Sequence, residues 1–174
     1  MSVLTEDELH FDFTSARSAV RFEDMSTRKP ARMQLVDFMV TTPGGDCLLI
    51  EVGDPSATAV RPDELVRMQA SDYMTNQVCS ELVPKCRSSW VILYLLRKEP
   101  PTARFVAVVG AEKLNLDPRR VLTLNELLKK RLKQEWDEPW QRPYVHSGVL
   151  LTTEMWNEEF PEYPLRRVSP GGQA

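Results

Sequence analysis

Two strand-forming runs, Gln34–Thr42 and Asp46–Val52, flank Pro43-Gly44-Gly45, and no other segment constrains this chain as tightly. Pro-Gly and Gly-Gly are turn chemistry, so the segment reads as a β-hairpin. Burial then sets the register. A three-residue loop places Val40 opposite Leu48, Phe38 opposite Ile50 and Val36 opposite Val52, which makes one apolar face. The other face pairs Thr41 with Cys47, Met39 with Leu49, Asp37 with Glu51 and Leu35 with Gly53. A slip by one residue scatters both sets. The register that segregates the apolar residues therefore sets two carboxylates side by side.

Around the hairpin the chain reads as short elements separated by prolines. Leu9, Phe13, Ala16 and Val20 recur at helical spacing before it. Residues 26–33 read as a basic loop carrying Arg28, Lys29 and Arg32. After a loop over 54–61, Pro62 suits a helix start, with Asp63 and Glu64 favourable in its first turn. Val66, Ala70, Tyr73, Met74, Val78 and Leu82 form the apolar stripe of that helix, and Pro84 stops it. The apolar run within Ser88–Arg97 reads as a central strand buried on both faces, and Arg104–Val109 as a further strand. A helix over 123–136 turns Leu124, Leu127, Leu128 and Leu132 inward and Lys129, Lys130 and Lys133 outward. Val145–Thr152 reads as a last strand and Glu154–Phe160 as a helical turn. The expectation is a mixed α/β layer fold. At 174 residues it reads as one domain over 1–168 with a flexible tail over 169–174.

Two carboxylates facing each other across strands repel, and burial adds a desolvation cost. A divalent cation offsets both, and hard oxygen ligands suit Mg²⁺ or Mn²⁺. Such ions serve phosphodiester hydrolysis by activating water and stabilising the leaving oxygen. Unaided, an exposed pair at a strand end is the simpler reading of two such acids.

Asp37, a hairpin and Glu51 in an Ile-Glu-Val strand together resemble the PD-(D/E)XK nuclease superfamily. Gln69-Ala70-Ser71-Asp72-Tyr73 on the next helix is similar to the Q-x-x-x-Y pattern of its RecB-like branch. The resemblance covers roughly residues 9–97. It implies a restriction-endonuclease-like mixed central sheet flanked by helices. It implies a metal held by Asp37 and Glu51, with Glu23 and the carbonyl of Val52 as further ligands. Asp37 and Glu51 become the catalytic pair, while Gln69 and Tyr73 line the substrate groove. The implied partner is nucleic acid, DNA rather than RNA. One position departs from the pattern: the motif lysine two residues after the glutamate is Gly53. That lysine orients water and stabilises charge at the phosphate, which glycine cannot do. Lys29, Lys85 or Arg67 could supply the cation from elsewhere, the site could turn over poorly, or catalysis could be lost. In the last case the alternative is a non-catalytic interaction module on the same fold.

Charge sets limits on these readings. Twenty-two Lys and Arg against 25 Asp and Glu give a net charge of −3, which excludes a globally basic nucleic-acid binder but not a local basic face. Trp136, Trp140, Trp156, Tyr144, Phe160 and Tyr163, interleaved with prolines, read as a satellite apolar cluster or a surface for a protein partner. Cys47 and Cys79 read as small core residues, and three cysteines without metal-ligand spacing suit a reducing, cytoplasm-like compartment. No apolar run is long enough for a membrane span.

Overall fold

The computed structural model describes residues 2–25, 33–70, 72–114, 116–134 and 138–168. The basic residues Arg28, Lys29 and Arg32, together with Trp136 and the 169–174 tail, lie outside them. Two sheets organise the chain. The larger has five strands in chain order: β3 (Ser18–Arg21), β4 (Phe38–Thr41), β5 (Cys47–Gly53), β6 (Ala103–Val109) and β7 (Ser147–Thr152). The meander β3–β4–β5 is antiparallel, while β5–β6 and β6–β7 are parallel, so the sheet is mixed. The smaller sheet is antiparallel, ordered β1 (Val3–Glu6), β2 (Leu9–Asp12) and β8 (Leu165–Arg167).

The hairpin has the register that burial predicts. Phe38 pairs with Ile50, Met39 with Leu49, Val40 with Leu48 and Thr41 with Cys47. Strand pairing stops one residue short of Asp37, however, so the first strand is shorter than Gln34–Thr42. There the Asp37 N–H donates to Ile50 O at 3.0 Å, and the Val52 N–H donates to Asp37 Oδ2 at 2.7 Å. A side-chain acceptor replaces a backbone partner, and Val36 leaves the sheet to give its N–H to Ser89 Oγ at 2.9 Å.

Both faces of the large sheet are buried, each under its own core. On one face lie Cys47, Leu49, Phe105, Ala107 and Leu150, covered by helices α1 (Pro62–Met68), α2 (Tyr73–Gln77), α3 (Val83–Leu95) and α4 (Pro118–Lys133). On the other lie Phe38, Val40, Leu48, Ile50 and Val106, covered by the small sheet and helix α5 (Thr153–Glu159). Each fully buried Leu or Phe contributes about 1.5–3 kcal/mol. Asn125 of α4 brackets the β7 edge, donating to Leu150 O at 2.9 Å and accepting from Leu150 N at 2.7 Å. That occupies backbone groups an edge strand otherwise leaves open.

Four expectations are corrected. Residues 9–20 form no helix but the strand β2, a turn and the start of β3: Leu9, Phe11 and Phe13 are buried in alternation, a period of two. The 88–97 run is helix, not strand. Pro84 does not end the preceding helix: the winding runs on from α2 through a π-turn over Val78–Leu82 into α3, and Pro84 stands just past that turn. Cys86, Ser89, Ile92 and Leu93 face inward, but Val91, Tyr94 and Leu95 on the exposed face are apolar too, which hid the helical period. The helix expected over 62–82 is broken after Met68, and its stripe fails at Val66, which is 68 % exposed. Finally, Cys79 is exposed rather than core, while Cys47 and Cys86 are buried.

The C-terminal aromatics are no satellite cluster. Trp156, Phe160 and Tyr163 are buried with Phe11 and Phe13 in the core beneath the small sheet, so these three present no surface to a partner. No helix among the described residues is long and apolar enough to cross a membrane.

Candidate functional site

Alternation along β5 decides where Glu51 points. Leu48, Ile50 and Val52 face the small-sheet core; Cys47 and Leu49 face the helices. Glu51 therefore falls on the helix face, where it is only 5 % exposed. Asp37 is half-buried and faces it across the hairpin. Glu51 is pushed up to about 8, first by burial and then by the Asp37 charge. Asp37 is raised as well, again chiefly by burial.

A cation reaches Glu51 from a helix. Lys85, in the first turn of α3, makes an ion pair with Glu51 Oε1. The other oxygen, Glu51 Oε2, is buried and accepts no hydrogen bond from any described residue. The Asp37 carboxyl is near enough to Glu51 for its charge to raise the Glu51 proton affinity further. Two carboxylates and one ammonium thus form a coupled set that carries surplus negative charge when fully ionised.

Glu51 and Lys85 form part of the lining of a cleft of about 300 Å³ at the C-terminal ends of β5 and β6, while Asp37 lines a neighbouring depression. One wall is a stripe at spacing four: Tyr73, Gln77, Glu81 and Lys85. In a regular α-helix such a stripe drifts by about 40° per step. Here the helix widens into a π-turn over Val78–Leu82, between α2 and α3, which winds the drift back. Gln77 Nε2 donates to Glu81 Oε1 at 3.1 Å along this stripe. Asp7, in the β1–β2 turn, and Asp54 also line the cleft. Asp54 is held by Arg167 through bonds of 2.7 and 2.8 Å. Lys85 is the one basic residue against four acids in this lining.

The sequence-derived residues divide accordingly. Asp37 and Glu51 come together, and Tyr73 lines the cleft. Gln69 does not: it caps α1 and gives its Nε2 to Lys113 O at 3.0 Å, because the helix break after Met68 separates it from Tyr73. Gln77, and not Gln69, lines the cleft beside Tyr73. Glu23, in a 3-10 turn over Phe22–Met25, lines a separate depression with Asp37, Glu6 and Arg21. Arg67 is exposed and pairs with Asp63. Among the described residues no group of three or more His, Cys, Asp and Glu side chains is arranged to hold a metal ion.

Comparison with protein families, with curated proteins and with solved structures finds no match. The geometry of the cleft therefore carries the functional argument alone. Gln77 and Glu81 escape sequence reading because only a π-turn keeps them in line with Tyr73 and Lys85. Their four-residue spacing was the available signal.

Proposed function

We propose that this chain is a metal-dependent nuclease of the restriction-endonuclease-like kind, hydrolysing phosphodiester bonds in DNA. One observation carries the reading: Glu51 Oε2, buried and without a donor, beside the Asp37 carboxyl and with Lys85 on its other oxygen. Leaving such an oxygen unpaired costs about 1–3 kcal/mol or more, which a ligand that binds there recovers. The donors are hard oxygens, which fit Mg²⁺ or Mn²⁺.

A bound divalent cation supplies activation of water and charge stabilisation at the scissile phosphate. Asp37 and Glu51 would hold it. Asp37 is oriented for this by the Val52 N–H, which fixes Oδ2. Lys85 brings the positive charge that Gly53 lacks, orienting the attacking water and offsetting charge on the phosphate. Hydrolysis adds water across one P–O bond and leaves a phosphate monoester and a hydroxyl. Tyr73 and Gln77 form the wall along which the strand is laid.

Titration calorimetry with Mn²⁺ and a DNA-cleavage assay test this together. Wild type binds Mn²⁺ and cuts; Glu51→Gln does neither; Lys85→Met still binds Mn²⁺ but loses about 10²–10³ in rate. A Cβ on Gly53 meets no atom within 4 Å, so Gly53→Lys is accommodated and restores cleavage to Lys85→Met. Absence of Mn²⁺ heat from wild type overturns the reading. Binding without cleavage of any DNA favours the non-catalytic interaction module.

A further inference from the structure

Two apolar surfaces stand uncovered among the described residues, at opposite ends of the large sheet. The first is a knob at the C-terminal end of α3. Val91, Tyr94 and Leu95 share one helix face at i, i+3, i+4 spacing and are 37, 60 and 66 % exposed; Leu96, at 41 %, follows. Arg97 then turns the chain with a left-handed φ of 53°, and the Lys98 N–H donates back to Leu93 O at 2.8 Å. These constraints hold Arg97 and Lys98, both exposed, beside the apolar face.

The second surface is a groove of about 650 Å³ formed chiefly by Leu116, Val121, Leu122 and Met155, with Glu112 and Glu154 also in its lining. No basic side chain lines it. Leu122 is 63 % exposed. The groove begins at Ala111, just past the C-terminal end of β6, and at Thr152, the last residue of β7. The knob ends α3 just before β6 begins, so strand β6 separates the two surfaces.

We propose that the knob of one copy docks in the groove of the next, head to tail. Both surfaces are apolar at the centre. Their borders differ in charge: Arg97 and Lys98 outnumber Glu99 on the knob, whereas the groove lining carries Glu154 and Glu112, the latter already paired with Arg167. Exposed apolar patches of this kind mark interaction sites. Because the two surfaces are different and lie at opposite ends, each contact leaves a free knob and a free groove. Association therefore continues past a dimer into a chain or a closed ring. This inference does not depend on the nuclease reading.

Sedimentation velocity of the full chain over a wide concentration range tests it. Wild type grows beyond a dimer as concentration rises. Leu95→Glu, which spoils the knob, and Leu122→Glu, which spoils the groove, each lower the association constant at least about tenfold. Mixing the two variants restores one good contact and gives a 1:1 dimer that grows no further. Both substitutions are at exposed positions, and near-UV circular dichroism checks that each variant is folded. Glu154→Arg, which changes only charge at the groove, weakens association as well. A wild type that stays monomeric at every concentration overturns the proposal. So does a mixture that stays monomeric, or a variant that associates like wild type.

Discussion

Glu51 sits on a strand whose other residues up to Val52 are almost wholly buried. An ordinary glutamate releases its proton near 4.5; in the fold Glu51 keeps it to about 8. Between those values the folded chain binds more protons at this site than the unfolded chain does. Its contribution to stability is therefore fully present below about 4.5 and falls as pH rises toward about 8. Denaturant melts of the metal-free protein across that window show falling stability in wild type and a flatter profile in Glu51→Gln, which stays neutral throughout. A flat wild-type profile means that Lys85 keeps Glu51 ionised in the native state. The pairing of Asp37 with Glu51 was legible from the hairpin alone, since one register buries the apolar residues. Their burial was not: an exposed strand-end pair has the same sequence.

At the scale of elements, the π-turn over Val78–Leu82 aligns the cleft wall. Ser80 lies within it, is exposed, and bonds only locally, through Oγ to Asn76 O at 2.8 Å. Deleting Ser80 lets the turn relax to a regular helix and rotates Lys85 by about 100° relative to Tyr73 and Gln77. Far-UV circular dichroism of the deletion variant stays close to wild type, while cleavage falls with Lys85 displaced from Glu51. Full activity in that variant means the turn does not position Lys85. The elements that sequence reading missed share one cause. A helix over Val83–Leu95 that is apolar on its exposed face has no amphipathic period to detect, and strands of four residues carry too few positions to show theirs. By contrast α4, with Leu124, Leu128 and Leu132 buried and its lysines exposed, was plain because its two faces differ in chemistry.

At the scale of the molecule, Arg167 ties the C-terminal strand to the cleft. It bonds Asp54, whose side chain is fully buried, together with Glu8 and Glu112. Gly110 lies against this cluster, where a Cβ would overlap Asp54 and Arg167. Removing the arginine strands a buried carboxylate, so Arg167→Met lowers stability by about 3–5 kcal/mol in urea titration. A loss within experimental error means that this ion pair does not hold the C-terminal strand in place. The small sheet, placed by this contact and by the aromatic core of Phe11, Phe13, Trp156 and Tyr163, brings Asp7 to the rim of the cleft.

The sequence by itself determined the hairpin, its register and the facing of two acids, because a period-two pattern with a turn at its centre has one arrangement that buries the apolar set. It also determined α4, α5 and the strands β6 and β7, at least approximately. Only the tertiary structure decided that Lys85, and not Arg67, meets Glu51. A cation 34 residues from its partner is placed by a helix break, a π-turn and a crossover, and none of these leaves a local pattern in the sequence.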